Sequence, residues 1–251
     1  MPIPHRRVRG KLHYTSDKAG QVGVERGRED FTITVHGDGR RTVRAYTEID
    51  DAPNVMRDVT LSLDANWKPE DCFVRLSVGD RFVGSSWFRF TEHEAECEGF
   101  TVAEGRISQR FPLKGRLAAF GTHPIQADAW LTNIFDAARG PGHEVFKSLL
   151  LCSLDHRGAT GPMIMAHPTG VPLTFVGRER ITVAAGTFDT LHYRIVETDG
   201  SAETRNEPGR HPPYDIWCSD DEYRVCVLAY VTGYMQTRYE LTEYECFEPQ
   251  P

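Results

Sequence analysis

VMRDVTLSLD (55–64), CFVRLSV (72–78) and RFVGSSWFRF (81–90) are consecutive stretches in which apolar and polar residues alternate. In the first, Val55, Val59, Leu61 and Leu63 share one parity, and Met56, Asp58, Thr60 and Ser62 the other. In the second, Val74, Leu76 and Val78 oppose Phe73, Arg75 and Ser77; in the third, Phe88 and Phe90 oppose Trp87 and Arg89. A period of two places alternate side chains on opposite faces of a pleated strand. Turn-forming residues at Asn66–Glu70 and Gly79-Asp80 separate the stretches. AECEGFTV (95–102), a turn at Ala103–Gly105 and RISQRF (106–111) extend the pattern. The whole run 55–130 therefore reads as a β-meander that ends in a His-Pro loop and a short amphipathic segment.

The pattern continues on both sides. DFTITVH (30–36) and RTVRAYTEID (41–50) flank the turn His36–Gly39 and predict a hairpin. KLHYT (11–15) predicts a first strand, preceded by a loose arm over 1–10. LTFVGRERITV (173–183), FDTLHYRIVET (188–198), YDIWCS (214–219), EYRVCVLAYV (222–231) and MQTRYELTEYECF (235–247) predict further strands, with turns at Ala184–Gly186, Asp199-Gly200 and Thr232-Gly233. In IQADAWLTNIFDAA (125–138) the residues Ile125, Trp130, Leu131, Ile134 and Phe135 approximate helical spacing, which predicts a helix. HEVFKSLLLCSL (143–154) fits helix or strand. The fold expected is mainly β: a highly curved antiparallel sheet or incomplete barrel with one or two covering helices, in one domain spanning 1–251. Two sheet halves, about 11–120 and 171–247, would be joined by 121–170.

Composition narrows the function. A net charge of −7 argues against nucleic acid or an anionic membrane surface as partner, since both require a basic field. Arg6, Arg7 and Arg9 are not followed by an apolar segment, so no secretory signal is read and the cytoplasm is the expected compartment. The six cysteines, Cys72, Cys97, Cys152, Cys218, Cys226 and Cys246, form no C-x-x-C and read as small hydrophobes kept reduced. An exposed edge strand would allow a homodimer.

AAGTFDTLHYRI (184–195) and DIWCSDDEYRVCVLAYVTGYMQTRYEL (215–241) carry a resemblance. Gly186-Thr187-Phe188 before a strand, Trp217 followed by an acidic turn, and the closing Tyr239-Glu240-Leu241 resemble uncharacterised bacterial β-sheet proteins. Their shape is similar to the lipoprotein-carrier (LolA-like) half-barrel. The resemblance implies a strongly curved sheet with a concave face around a cavity.

Three groups of residues are candidates for chemistry. The first is the polar parity of the strands: Arg44, Tyr46, Arg75, Trp87 and Arg89, with Glu96 and Glu98 close by. Arg57 falls among the apolar positions of its own strand. Such a face is either plain solvated surface or, in a curved sheet, the wall of a pocket in which arginines grip an anionic or carbonyl group and aromatics stack on the ligand. The second is His123 before Pro124, with Asp128 and Trp130 following; proline biases His123 toward an extended backbone. His123 would be a general base supported by Asp128, or else a loop histidine and a helix-capping acid. The third is His123, His143, His156 and His167 among Asp136, Glu144 and Asp155. None sits at H-x-H or H-x-x-x-H spacing, so no metal is expected. G-x-S-x-G, G-x-G-x-x-G, P-loop and H-E-x-x-H patterns are absent, so no cofactor is expected.

The function expected is a cofactor-independent enzyme of lyase or isomerase type, acting on a small aromatic or apolar metabolite in a concave β-sheet. The alternative is a non-catalytic, lipocalin-type binding protein for a small molecule or lipid.

Overall fold

The computed structural model describes residues 5–167, 170–195 and 212–247. The expected turn at Asp199-Gly200 and the loop from Asn206 to His211 lie outside them. Fourteen strands form one antiparallel sheet. Its first run is β1 (Arg6–Ser16), β2 (Glu25–Val35), β3 (Arg41–Ile49), β4 (Val55–Leu63), β5 (Pro69–Val78), β6 (Arg81–Phe90), β7 (Glu94–Thr101) and β8 (Gly105–Pro112). A connecting segment then carries β9 (Ala119–Gly121), helix α1 (Ile125–Leu131), β10 (Gly142–Phe146), β11 (Leu149–Leu151) and β12 (Met165–Ala166). The second run is β13 (Val171–Val183), β14 (Gly186–Ile195), β15 (Tyr214–Ser219), β16 (Cys226–Val231) and β17 (Thr237–Phe247). The spatial order is β10-β13-β14-β15-β16-β17-β1-β2-β3-β4-β5-β6-β7-β8. The two runs are thus one sheet, sewn together where β17 pairs with β1.

The sheet is curved but not closed: β8 and β10 remain as edges. At one corner it bends back on itself. Ala185 N–H donates to Leu241 O at 3.2 Å, bringing the β13–β14 turn onto β17.

The connecting segment decides which face is inside. Phe120 of β9 packs at 4.9 Å from Phe88 and 4.8 Å from Phe90. Trp130 of α1 lies edge-on to Trp67 at 5.8 Å. β9, β11 and β12 make a small second sheet, in which β9 and β11 run parallel. The Val, Leu and Phe parity therefore faces this plug and forms one buried core. Five of the six cysteines are buried in or beside it, and Cys246 is exposed.

Several expectations need correction. Residues 6–10 are not a loose arm but the start of β1, because Val8 and Gly10 continue the inward parity of Leu12 and Tyr14. Gly10 is obligatory in that run: a Cβ there would lie 2.3 Å from the Phe31 ring on β2. The helix expected over 125–138 stops at Leu131. It continues as 3-10 turns at Thr132–Ile134 and Ala137–Arg139, separated by Phe135 in an extended conformation. Residues 143–154 are strand, not helix, split between β10 and β11. Among the described residues no helix is long and apolar enough to cross a membrane.

Candidate functional site

The polar parity faces away from the plug, where Arg44 and Tyr46 line an open groove with Asp58, Thr60 and Phe73. Arg44, Arg75, Trp87 and Arg89 are exposed on the outer face, with Tyr46 and Glu98 half-buried beside them. The physical reason is the plug: with α1 and β9 on the apolar side, the opposite parity must meet solvent. Tyr46 donates to Glu48 at 2.6 Å, and this hydrogen bond raises its pKa to about 12. Arg75 reaches Ser77 at 3.1 Å. Arg89 donates to Glu96 at 2.5 Å, and Arg110 ties Glu96 to Glu94. Glu98 accepts from Ser108 at 2.8 Å. Arg89, Arg110, Glu94 and Glu96 thus form an ion-pair cluster on the outer face. Trp130 is also displaced from its expected role: it is buried in the core, where Nε1–H donates to Tyr223 O at 2.8 Å.

His123 and Arg57 do come together. Both line a cavity of about 140 Å³ on the inner side, between the sheet and the plug. Tyr14, Thr47 and Tyr239 form its sheet wall, and Ile125 of α1 contributes to its floor. Arg26, Arg157, His156 and Tyr234 stand around it.

His123 has φ of +77°, so the extended backbone expected before Pro124 is not what forms. A left-handed, non-glycine residue before proline is a sparsely populated conformation, held here by its surroundings. Its Nε2 lies 3.2 Å from Ser153 O. A carbonyl only accepts, so Nε2 carries the hydrogen and the neutral ring is basic at Nδ1. His156 is exposed, yet its ring packs edge-on to Tyr234 at 5.6 Å, and desolvation draws its pKa below the ordinary value.

Beneath the cavity lie two acids on α1 and β2. Glu29, fully buried, accepts from Tyr14 Oη at 2.7 Å, Ile125 N–H at 2.7 Å and Gln126 N–H at 3.0 Å. It thereby caps the first turn of α1 from outside the helix. Burial raises its pKa to about 7 despite these three donors. Asp128 accepts from Tyr214 Oη at 3.4 Å. Burial, reinforced by the charge of Glu29, raises its pKa to about 7 as well. Gln126 clamps the other side of the helix: its Nε2–H donates to Arg224 O at 2.9 Å, and its Oε1 accepts from Cys226 N–H at 2.9 Å.

Arg57 is 2 % exposed, and burial depresses its pKa. Its Nε has no hydrogen-bond partner. The loop 155–159 is laid against its guanidinium. Asp155 Oδ1 accepts from the N–H groups of Arg157 and Ala159, both at 2.9 Å, and so shapes that loop. A Cβ on Gly158 would fall 2.0 Å from Arg57 Nη2, so any larger residue would have to displace the guanidinium, and the φ of +61° also favours glycine.

The four histidines of the third group do not assemble: His143 bonds Thr174 on the edge pair β10–β13, away from His123 and His156. Among the described residues no group of three His, Cys, Asp or Glu is placed to hold a metal. Glu29, Tyr14, Thr47 and Tyr239 were not read as site residues from the sequence. The signal for Glu29 was present: it shares parity with Phe31, Ile33 and Val35, which makes it an inward-facing acid.

No family model and no curated protein matches the chain. Among solved structures it is similar to a β-barrel-like protein of a domain of unknown function, DUF1849, from Brucella abortus. The identity is 16%, the alignment covers 98% of this chain and 99% of that one, and the TM-score is 0.55. A "putative lipoprotein" from Parabacteroides distasonis aligns over 98% of this chain and 97% of that one, at 10% identity and a TM-score of 0.32. The first likeness bears out the fold: a curved antiparallel sheet of barrel-like shape, of the kind the C-terminal motifs resemble.

Proposed function

We propose that the protein is a cofactor-independent enzyme of lyase or isomerase type that moves a proton on a small ring compound in the inner cavity. The observation that carries this reading is His123, held at φ +77° with a fixed tautomer, on the wall of a cavity of about 140 Å³. The volume is close to the roughly 150 Å³ in which an apolar cavity holds one benzene ring, which supports a substrate with one ring inside the cavity. His123 takes the proton as general base; Asp128, turned to Tyr214 Oη and outside the cavity lining, is proposed to act only at a distance, through its charge when ionised. Tyr14 and Tyr239 supply flat aromatic wall.

A second reading, a non-catalytic binding protein, is favoured by the His123–Ser153 hydrogen bond, which also suits a purely architectural histidine. One experiment separates the two. Small cyclic and aromatic carbonyl compounds are incubated with the protein in deuterated water, and deuterium uptake into each is followed by NMR. Enzyme-dependent uptake is expected, abolished by His123→Ala while binding of the same compound persists. Uptake that survives His123→Ala removes the histidine from the mechanism. Binding without uptake by the wild type selects the binding protein.

A further inference from the structure

Among the described residues Arg57 is the one arginine buried at an inward strand position. It sits on β4 at the parity of Val55, Val59 and Leu61, facing inward. Among the described residues its guanidinium makes no hydrogen bond and no ion pair, and its Nε is buried without a partner. A buried charge that lacks a counter-ion is a heavy penalty for a fold to retain. The nearest acids, Asp155 and Asp128, act on it through space only and form no hydrogen bond or ion pair with it; Asp155 Oδ1 is turned to loop N–H groups. The guanidinium is nonetheless positioned with care. Gly158 leaves room for it to the width of one methyl group, and the Asp155 turn fixes the Gly158 backbone. A buried guanidinium without a hydrogen-bonded partner on a cavity wall has the chemistry of an anion receptor.

We infer that Arg57 anchors a carboxylate, and that the ligand is a small monoanionic ring acid of about the size of benzoate; this rests on the reading of the inner cavity as the ligand site. Arg57 is the one buried arginine among the described residues that lines the cavity, and its single planar fork pairs with one carboxylate. Size favours one ring, as argued from the volume. The surroundings agree: Arg157 and Lys18 stand around the cavity with Arg26, whose own partners are Asp51 and the Met235 carbonyl. This cationic surround draws an anion inward. A carboxylate presents two oxygens in the plane that matches the guanidinium fork.

The test measures affinity by calorimetry for sodium benzoate, for the neutral isostere benzyl alcohol and for inorganic phosphate. It uses wild type, Arg57→Met and Arg57→Lys, with folding of each checked by circular dichroism. Wild type is expected to prefer benzoate over benzyl alcohol by more than about tenfold. Arg57→Met should lose that preference, and Arg57→Lys should retain part of it, because lysine keeps the charge but not the fork. Equal binding of benzoate and benzyl alcohol by wild type overturns the carboxylate anchor and leaves the cavity reading standing. Tighter binding of phosphate than of benzoate overturns the monoanion. A benzoate preference that survives Arg57→Met moves the anchor to another residue and overturns the assignment. If neither ring compound binds wild type, the cavity reading falls as well. The wild-type comparison needs no variant, so a variant that fails to fold does not rescue the inference.

Discussion

Glu29→Gln is the substitution whose outcome the geometry constrains most tightly. Burial raises this carboxyl from 4.5 to about 7. Between those two values the folded protein keeps a proton that the unfolded chain has released. Stability therefore falls as pH rises through this window and levels off above it. At about 1.4 kcal/mol per pH unit the full loss is about 3 kcal/mol, most of which falls between about pH 5 and about pH 8. Asp128, also raised to about 7, adds loss in the same direction, and the two acids titrate as a coupled pair. Glutamine removes the titration but changes the hydrogen bonds. Oε2 takes both Tyr14 Oη–H and Ile125 N–H, so the amide oxygen belongs there, and the amide NH2 then faces Gln126 N–H. That N–H loses its acceptor, which costs about 1–3 kcal/mol at every pH. The variant should therefore be less stable than wild type at the acid end and close to it, or above it, at the alkaline end. Removing the Glu29 charge also relieves Asp128, which flattens the profile further. Urea unfolding across the window, with the m-value held constant, gives both curves. Parallel curves for variant and wild type would mean that the proton is not on Glu29, and the argument for a buried, near-neutral acid under α1 would be refuted.

Two further outcomes follow from where residues sit. Trp130→Phe should cost about 1–3 kcal/mol in urea unfolding, because it strips the Tyr223 carbonyl of its donor and weakens the edge contact with Trp67. Its benzoate affinity should stay at the wild-type value; a large loss would return Trp130 to the ligand site. Trp87→Ser, on the outer face, should leave benzoate affinity unchanged by calorimetry, and weakened binding there would mean that the ligand sits on the wrong side of the sheet for the present reading.

The strands of the two long runs were legible because alternation is a direct record of two faces; the short strands β9 to β12 and the β17–β1 seam were not, since they carry little or no alternation and join distant segments. The hairpin around His36–Gly39 and the limits of β6 and β15 came through as read. What alternation does not record is which face is concave. The polar parity of β3 to β7, rich in arginine and aromatics, looks like a pocket wall in isolation. Only the plug, laid on the apolar side through Phe120 and Trp130, settles the matter, and its contacts join residues far apart in sequence. Arg57 was visible as an exception among the apolar positions of its strand, and that exception was the better guide to the site. Glu29 could have been found by extending the hairpin's parity one step backward. Tyr14 and Tyr239 could not, since a tyrosine facing inward is equally a core residue, and their pairing depends on strands from opposite ends of the chain. The short helix was overread because Ile134 and Phe135 keep helical spacing while the backbone has already turned extended.

The seam between β1 and β17 sets a schedule for the protein's birth. Tyr14 faces Tyr239 across it, ring centroids 4.6 Å apart, and together they make the aromatic wall of the cavity. A ribosome delivers β1 long before β17, and closing so distant a pairing is slow. Until then β1 can pair with β2 but offers its other side, and with it a row of unsatisfied amides, to whatever the nascent chain meets. No ligand can serve as a template for early folding, because the wall it would lean on does not yet exist. Ligand can stabilise only the finished molecule. If the proposed ligand binds there, cells starved of it should hold less of the protein, made at the usual rate and lost sooner.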